Sequence, residues 1–442
     1  MKHKKAIYVP FIHYRIEVPE LLQAVLLIAV GLSGVPVLEQ YLGMSYEVAI
    51  TTVAIAELLG ILHVMFGDPV VPGWVASALP LVITYLSGYQ VGSDSVYAMI
   101  ALQILVAALF LILGITGLAH KLMKVIPASL KAGILLGAAM EALEKVYSKY
   151  WGDYRISICA GGIVTVILLF SMRYKMLKSK SKILTQIGKY GMLPGLIVAM
   201  IVGPLVGELN VPSISWGFIP FDFTNLIKDY SVFAIGLPTA SYFLKALPMA
   251  LAVYIIAFGE IVTAEAVLKE AEEGRPEEPI GYNSNRTNVI AGIRNLILAL
   301  FAPFAPLAGP LWAAVSVSVC ERYKEGPKAM QSIYSGMGTF KLFTAFFVLL
   351  LPVASICGPV LPIAYTITLL VQCIACSYIA IELVGKDKTA AGIAGLTASL
   401  IVVTGSVGWA MAIGLMFCLI LELNPFNLAK TTKETAKLGG KQ

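Results

Sequence analysis

Apolar runs follow one another along almost the whole of this chain, and that succession leaves few architectures open. In hydrocarbon every backbone N–H and C=O must be satisfied within the protein, so long apolar runs of this kind cross as α-helices. Each crossing needs about 20 apolar residues. Runs near 20–40, 45–66, 73–88, 95–118, 126–144, 156–172, 188–207, 244–268, 286–302, 309–322, 331–352, 361–384, 387–404 and 406–423 give fourteen elements. The third, tenth and thirteenth are too short to cross alone as ideal helices, so a plain hydropathy count would return twelve. With 58% hydrophobic and 13% charged residues and a mean hydropathy of +0.83, the reading is an all-α polytopic membrane protein whose surroundings are the lipid bilayer, with no room for a soluble domain.

Basic residues set the orientation. Met1-Lys2-His3-Lys4-Lys5 is followed by no small-residue cleavage site and is read as a retained cytoplasmic end. Loops after even-numbered elements should then be basic. They carry Lys121 and Lys124, Arg173 to Lys182, Lys269 to Arg286, Arg322 to Lys328, Lys386 and Lys388, and a tail with Lys430, Lys433, Lys437 and Lys441. The opposite loops are poorer in base, with Lys145, Lys149, Arg155 and Lys228 as exceptions. Both termini are therefore expected in the cytoplasm, in a multi-pass protein of the cell membrane. These clusters account for the net charge of +6, and no nucleic-acid partner is inferred from it.

Dividing at the polar stretch from Glu208 to about Asp229 leaves seven elements on either side, and an odd number per half turns the second half over in the membrane. The units are a first repeat at 1–207, an extracellular or periplasmic connection at 208–243, a second repeat at 244–430 and a cytoplasmic tail at 431–442. The third and tenth elements, equivalent in such a repeat, open on lookalike segments. They are Phe66-Gly-Asp-Pro-Val-Val-Pro-Gly-Trp74-Val75-Ala76-Ser77 and Phe304-Ala-Pro-Leu-Ala-Gly-Pro-Leu-Trp312-Ala313-Ala314-Val-Ser316. Paired Pro/Gly interruptions of this kind mark the substrate site of inverted-repeat transporters. A helix that starts halfway across the membrane has N–H groups without intrahelical acceptors and the positive end of its dipole there, so two such starts cradle an anion or a polar ring. Ala76, Ser77, Ala313 and Ala314 are small enough to let a ligand reach the backbone. The duller reading is two kinked, packed helices with Trp as headgroup anchors. The matching positions in both halves favour the site.

Glu260 lies deep in an apolar run, where an ionised carboxylate costs about 2.5–3.5 kcal/mol even on the lenient insertion scale. It is read as a substrate partner and a site of ion coupling, and Glu265 as a second, weaker coupling candidate nearer the cytoplasm. Other charges have simpler explanations. Lys131 and Lys341 are expected to snorkel, Glu141 and Glu144 to sit at an outer helix end, and Glu57 to pair with Arg294 or Lys341. The six cysteines, Cys159, Cys320, Cys357, Cys373, Cys376 and Cys418, lie mostly in apolar runs and read as core residues, so no disulfide or metal site is expected. With four His and no His-Glu-x-x-His, Walker-type or Gly-x-Ser-x-Gly motif, the chain reads as no enzyme, without a cofactor. The energy for transport would come from an ion gradient or from exchange.

The chain resembles the uracil-permease-like fold shared by nucleobase/ascorbate transporters, sulphate-permease-type anion transporters and bicarbonate exchangers. Three stretches carry the resemblance: Gln23-Ala-Val-Leu-Leu-Ile-Ala-Val-Gly31-Leu-Ser-Gly-Val-Pro36, Ile126-Pro127-Ala-Ser-Leu-Lys-Ala-Gly133 and Phe258-Gly-Glu260-Ile-Val-Thr-Ala264. Two features depart from it. The tenth element, Gly309-Pro-Leu-Trp312-Ala-Ala, lacks the Glu of nucleobase permeases, and the appended cytosolic domain usual in sulphate-type transporters is missing. The resemblance implies a core bundle of elements 1–4 and 8–11, a gate bundle of 5–7 and 12–14, and a homodimer through the gates. Substrate would bind between the bundles, at Gly31, Trp74, Val75, Ala76, Ser77, Glu260, Trp312, Ala313 and Ala314. The expected function is a secondary active transporter, an H+- or Na+-coupled symporter working by alternating access on a nucleobase-like or other small weakly acidic solute. The alternatives are a sulphate-permease-type transporter or exchanger of inorganic or carboxylate anions and, further off, a channel.

Overall fold

The computed structural model describes residues 7–422 apart from 179, 180, 189, 212 and 406. The tail expected at 431–442 and the basic N-terminal cluster lie outside the described residues. Regular structure among the described residues is helical, with isolated bridges only. Fourteen elements match the fourteen apolar runs. They are α1 (Val18–Leu42), α2 (Tyr46–Met65), α3 (Leu79–Leu86), α4 (Ser93–Ile115), α5 (Ala128–Lys145), α6 (Trp151–Phe170) and α7 (Leu193–Leu205). The second set is α8 (Ala240–Gly274), α9 (Ser284–Phe301), α10 (Ala313–Tyr323), α11 (Ile333–Phe347), α12 (Leu351–Val384), α13 (Lys388–Thr404) and α14 (Val407–Leu421). Between α5 and α6 the chain remains helical through a π turn at Val146–Tyr150 and leaves helical geometry at Tyr154.

Local chemistry sets the ends. Ser45 caps α2 by accepting from the Val48 amide, Asn283 caps α9 and Asp387 caps α13, each offering a side-chain oxygen to first-turn N–H groups. α3 is entered through a 3-10 turn at Ala76–Ala78 and α10 has 11 residues. At 1.5 Å per residue, such lengths cover about half of the hydrocarbon core. The broken third and tenth elements are thus half-helices.

Packing divides the helices into two groups. α4 lies against α8 and α9, α1 against α11, and α8 against α10. In the other group α5 packs on α12 and α13, α6 on α7, and α13 on α14. α6 and α7 meet backbone to backbone, since a Cβ at Gly161 would come within 2.6 Å of the Gly195 carbonyl oxygen. The groups touch along α1 and α12 and along α5 and α8. This is the core and gate arrangement that the resemblance implied.

Inside the core group, the extended segments leading into α3 and α10 cross as an antiparallel bridge between Trp74 and Ala308. The Val75 amide donates to the Leu307 carbonyl (3.2 Å), the Gly309 amide to the Gly73 carbonyl (2.9 Å) and the Trp312 amide to the Val71 carbonyl (2.7 Å). Side chains satisfy the remaining groups. Asn295 accepts from the Ala308 amide (3.0 Å) and donates to its carbonyl (2.8 Å), and Arg294 donates to the Gly309 carbonyl (2.9 Å). Gly309 is required here, because a Cβ would sit 2.5 Å from the Trp74 carbonyl carbon and 2.8 Å from the Val75 nitrogen, and neither backbone atom can rotate away.

Lys341 corrects a sequence expectation. It does not snorkel: its side chain is 2% exposed and donates to Glu57 at 2.5 Å, joining α11 to α2. Room for its stem exists because residue 60 is glycine, where a Cβ would lie 1.9 Å from Lys341 Cε. Glu57 therefore pairs with Lys341, while Arg294 bonds the crossover and His63 (3.3 Å). Arg322 on α10 likewise bonds Glu20, and at 3.2 Å Glu17, at the start of α1.

Two variants test these constraints. Gly309→Ala should destabilise the protein by about 1–3 kcal/mol, the usual cost of forcing atoms into a packed site; an unchanged melting temperature would show that the crossover can open at no cost. Lys341→Met should cost about 3–5 kcal/mol by stranding Glu57, and adding Glu57→Gln should restore most of it. Equal melting temperatures for the single and double variants would refute the pair's structural role.

Candidate functional site

A cavity of about 620 Å³ lies between the two groups, in front of the crossover. From the core group it is lined by Gly31, Trp74, Ala76, Glu260, Trp312 and Ala313, six of the residues singled out from sequence. Val75 and Ala314 are fully buried behind this surface, and the Ser77 side chain lies outside the described ones. Glu265 is not at the cavity. It holds a half-exposed ion pair with Lys131 of α5 at 3.0 Å. That pair also accounts for Lys131, which finds a carboxylate where free snorkelling was expected.

The two helix starts are built alike. Trp74 stands edge-on to Phe304 (5.7 Å, 78°) and Trp312 edge-on to Phe340 (5.7 Å, 83°), so each indole is braced beside a helix start, away from any headgroup anchor role. No side chain caps the turn at Ala76 or the start of α10 at Ala313. Since the first N–H groups of a helix lack intrahelical acceptors, both starts keep donors free for a ligand.

Glu260 is on the middle of α8, and its Oε2 is buried with no hydrogen-bond partner. Glu260 thus lines the cavity with one carboxylate oxygen uncommitted.

The gate side carries groups that sequence reasoning passed over. Glu141, Lys145 and Lys149 follow one another at i, i+4 and i+8 on the face of α5 and its π turn that lines the cavity, with Tyr150 and, from α12, Tyr365. Glu141 accepts from Lys145 at 2.7 Å. A signal for them existed, as Lys145 and Lys149 are two of the four basic residues that violate the loop-charge pattern. Glu57 also reaches the cavity wall, beside Gly31, where a Cβ would lie 3.1 Å from Glu57 Oε1.

No family model matches the chain, and no curated protein matches it. Solved structures do. The transmembrane domain of a cyanobacterium bicarbonate transporter, BicA, is 14% identical with a TM-score of 0.47, over 90% of this chain and 97% of that one. Murine Solute Carrier 26 family member A9, an anion transporter in its inward-facing state, is 14% identical with a TM-score of 0.52, over 92% of this chain and 68% of that one. A structure titled as the overall structure of SLC26A9 is 14% identical with a TM-score of 0.47, over 91% of this chain and 64% of that one. The likeness to the murine protein shows a shared fold.

Proposed function

We propose that this chain is a secondary transporter that carries a small anion between its core and gate groups by alternating access. The observation that carries this reading is the meeting of two uncapped half-helix starts at one cavity walled by both groups. Lys145 and Lys149 on the facing wall add positive charge, and the tenth element brings Trp312-Ala313 to the cavity in place of a carboxylate. The anion transport named for the murine structural neighbour agrees with this reading. With the N-terminus cytoplasmic, the cavity opens outward, because its walls include the C-terminal part of α5 and Ile401 near the C-terminal end of α13. A homodimer through the gate helices belongs to the same reading and rests on the family resemblance alone.

Glu260 supplies the coupling. An ionised carboxylate beside the helix starts repels an anion, whereas a protonated one donates a hydrogen bond to it. Proton and anion therefore enter together, and uptake rises as the outside pH falls. Sodium, the other coupling ion considered, would neutralise the same carboxylate. A nucleobase-like, weakly acidic solute is the second reading, favoured by the uncommitted Glu260 Oε2 and by two indoles at the cavity.

In proteoliposomes, Glu260→Gln should abolish the dependence of uptake on a proton gradient while leaving exchange of anion for anion. Wild-type uptake with unchanged pH dependence would remove Glu260 from the coupling site. Ala313→Trp should fill the space before the α10 start and abolish binding, measured as loss of ligand-induced thermal stabilisation. Unaltered affinity in that variant would place the substrate elsewhere. Trans-stimulation of uptake by internal substrate separates a carrier from a channel.

A further inference from the structure

Buried basic residues of the membrane region tie separate helices together: Lys341 joins α11 to α2, and Arg322 joins α10 to α1. Lys145 does not. Its hydrogen bond goes to Glu141, one turn earlier on the same helix, and an i,i+4 pair adds little to stability. A lysine within a membrane-spanning element is costly and calls for a use, and this one lines the transport cavity. It is followed at once by the π turn Val146–Tyr150, a feature frequent at functional sites, which is held to α12 by the Tyr150 and Tyr365 rings at 5.8 Å. The cavity, about 620 Å³, is of the size that takes an organic molecule and exceeds what a single oxyanion fills.

We propose that Lys145 is a substrate contact borne by the gate, receiving the second anionic group of a small organic dianion whose first anionic group sits at the starts of α3 and α10. The proposal rests on the anion reading above and narrows it to dicarboxylate-like solutes. On binding, Lys145 exchanges the Glu141 carboxylate for one from the substrate, so the lysine stays paired and the released Glu141 carboxylate, 25% exposed, is solvated by water in its place. A solute held at one end by the core and at the other by the gate binds best when the two approach, which biases the protein toward closure over its cargo. A monoanion engages the core end alone and lacks this effect.

The test compares acetate, succinate and glutarate as ligands of the purified full chain, by thermal stabilisation and by competition for uptake in proteoliposomes. Wild type should bind the dicarboxylates more tightly than acetate. Lys145→Gln, made together with Glu141→Gln so that no lone charge remains, should weaken the dicarboxylates about tenfold, the scale of one charge-assisted hydrogen bond, and leave acetate unchanged. Glu141→Gln alone should keep or tighten dicarboxylate binding, and its retained ligand response shows that the wall still folds. Equal weakening of acetate and dicarboxylates, or no change in either, overturns the assignment of Lys145 while the anion reading stands. Failure of wild type to respond to any of these or to inorganic anions removes both.

Discussion

Everything at the centre of this protein depends on how two stretches of non-helical backbone are satisfied where water is absent. The segments leading into α3 and α10 meet that demand first on each other, through the antiparallel bridge at Trp74 and Ala308. What the bridge leaves over is met by Asn295, Arg294 and Gln103, the last accepting from the Phe304 amide at 3.0 Å. His63, Asp68 and Thr287 extend this layer behind the crossover, with Asp68 bonding His63 at 2.7 Å and Thr287 at 3.0 Å. The polar residues buried in α4 and α9 thus exist for the crossover. They leave the helix starts facing the cavity without caps, so that the demand met on one side becomes binding capacity on the other.

The larger outline was legible because it is written in local composition. Fourteen apolar runs became fourteen elements, and the two Pro/Gly segments became the two half-helix starts, since the period and interruption of an apolar run are properties of adjacent residues. Errors arose where a side chain's fate depends on a distant partner. Lys341 was expected at a headgroup level, but Glu57, 284 positions away, and the empty side of Gly60 draw it into the core. Val75 and Ala314 follow Trp74 and Trp312 closely in sequence, but the crossover bridge holds Val75 and helical rotation carries Ala314 behind the cavity surface. From sequence, Glu141 and Glu144 read as end-of-helix charges and Lys145 as a loop exception, because composition cannot tell a helix end in the headgroups from one beside a cavity. Only the breach of the charge pattern at Lys145 and Lys149 hinted at the difference.

The most buried Glu–Lys and Glu–Arg pairs fall within the core group. They are Glu57 with Lys341 and Glu20 with Arg322, where separating either strands a charge in a medium that solvates it poorly, whereas Lys324 with Glu270, also within the core group, is partly exposed at 22% and 34%. The pair that links the groups, Lys131 of α5 with Glu265 of α8, is half-exposed at 21% and 35%, where water compensates each partner on separation. Displacing α5–α7 and α12–α14 against the core thus breaks a weak link and spares the strong ones. Glu265, read from sequence as a coupling candidate, stands at this contact between the groups and away from the cavity. Glu260 is the opposite case, a carboxylate with one oxygen unpartnered, on the core side and lining the cavity between the groups.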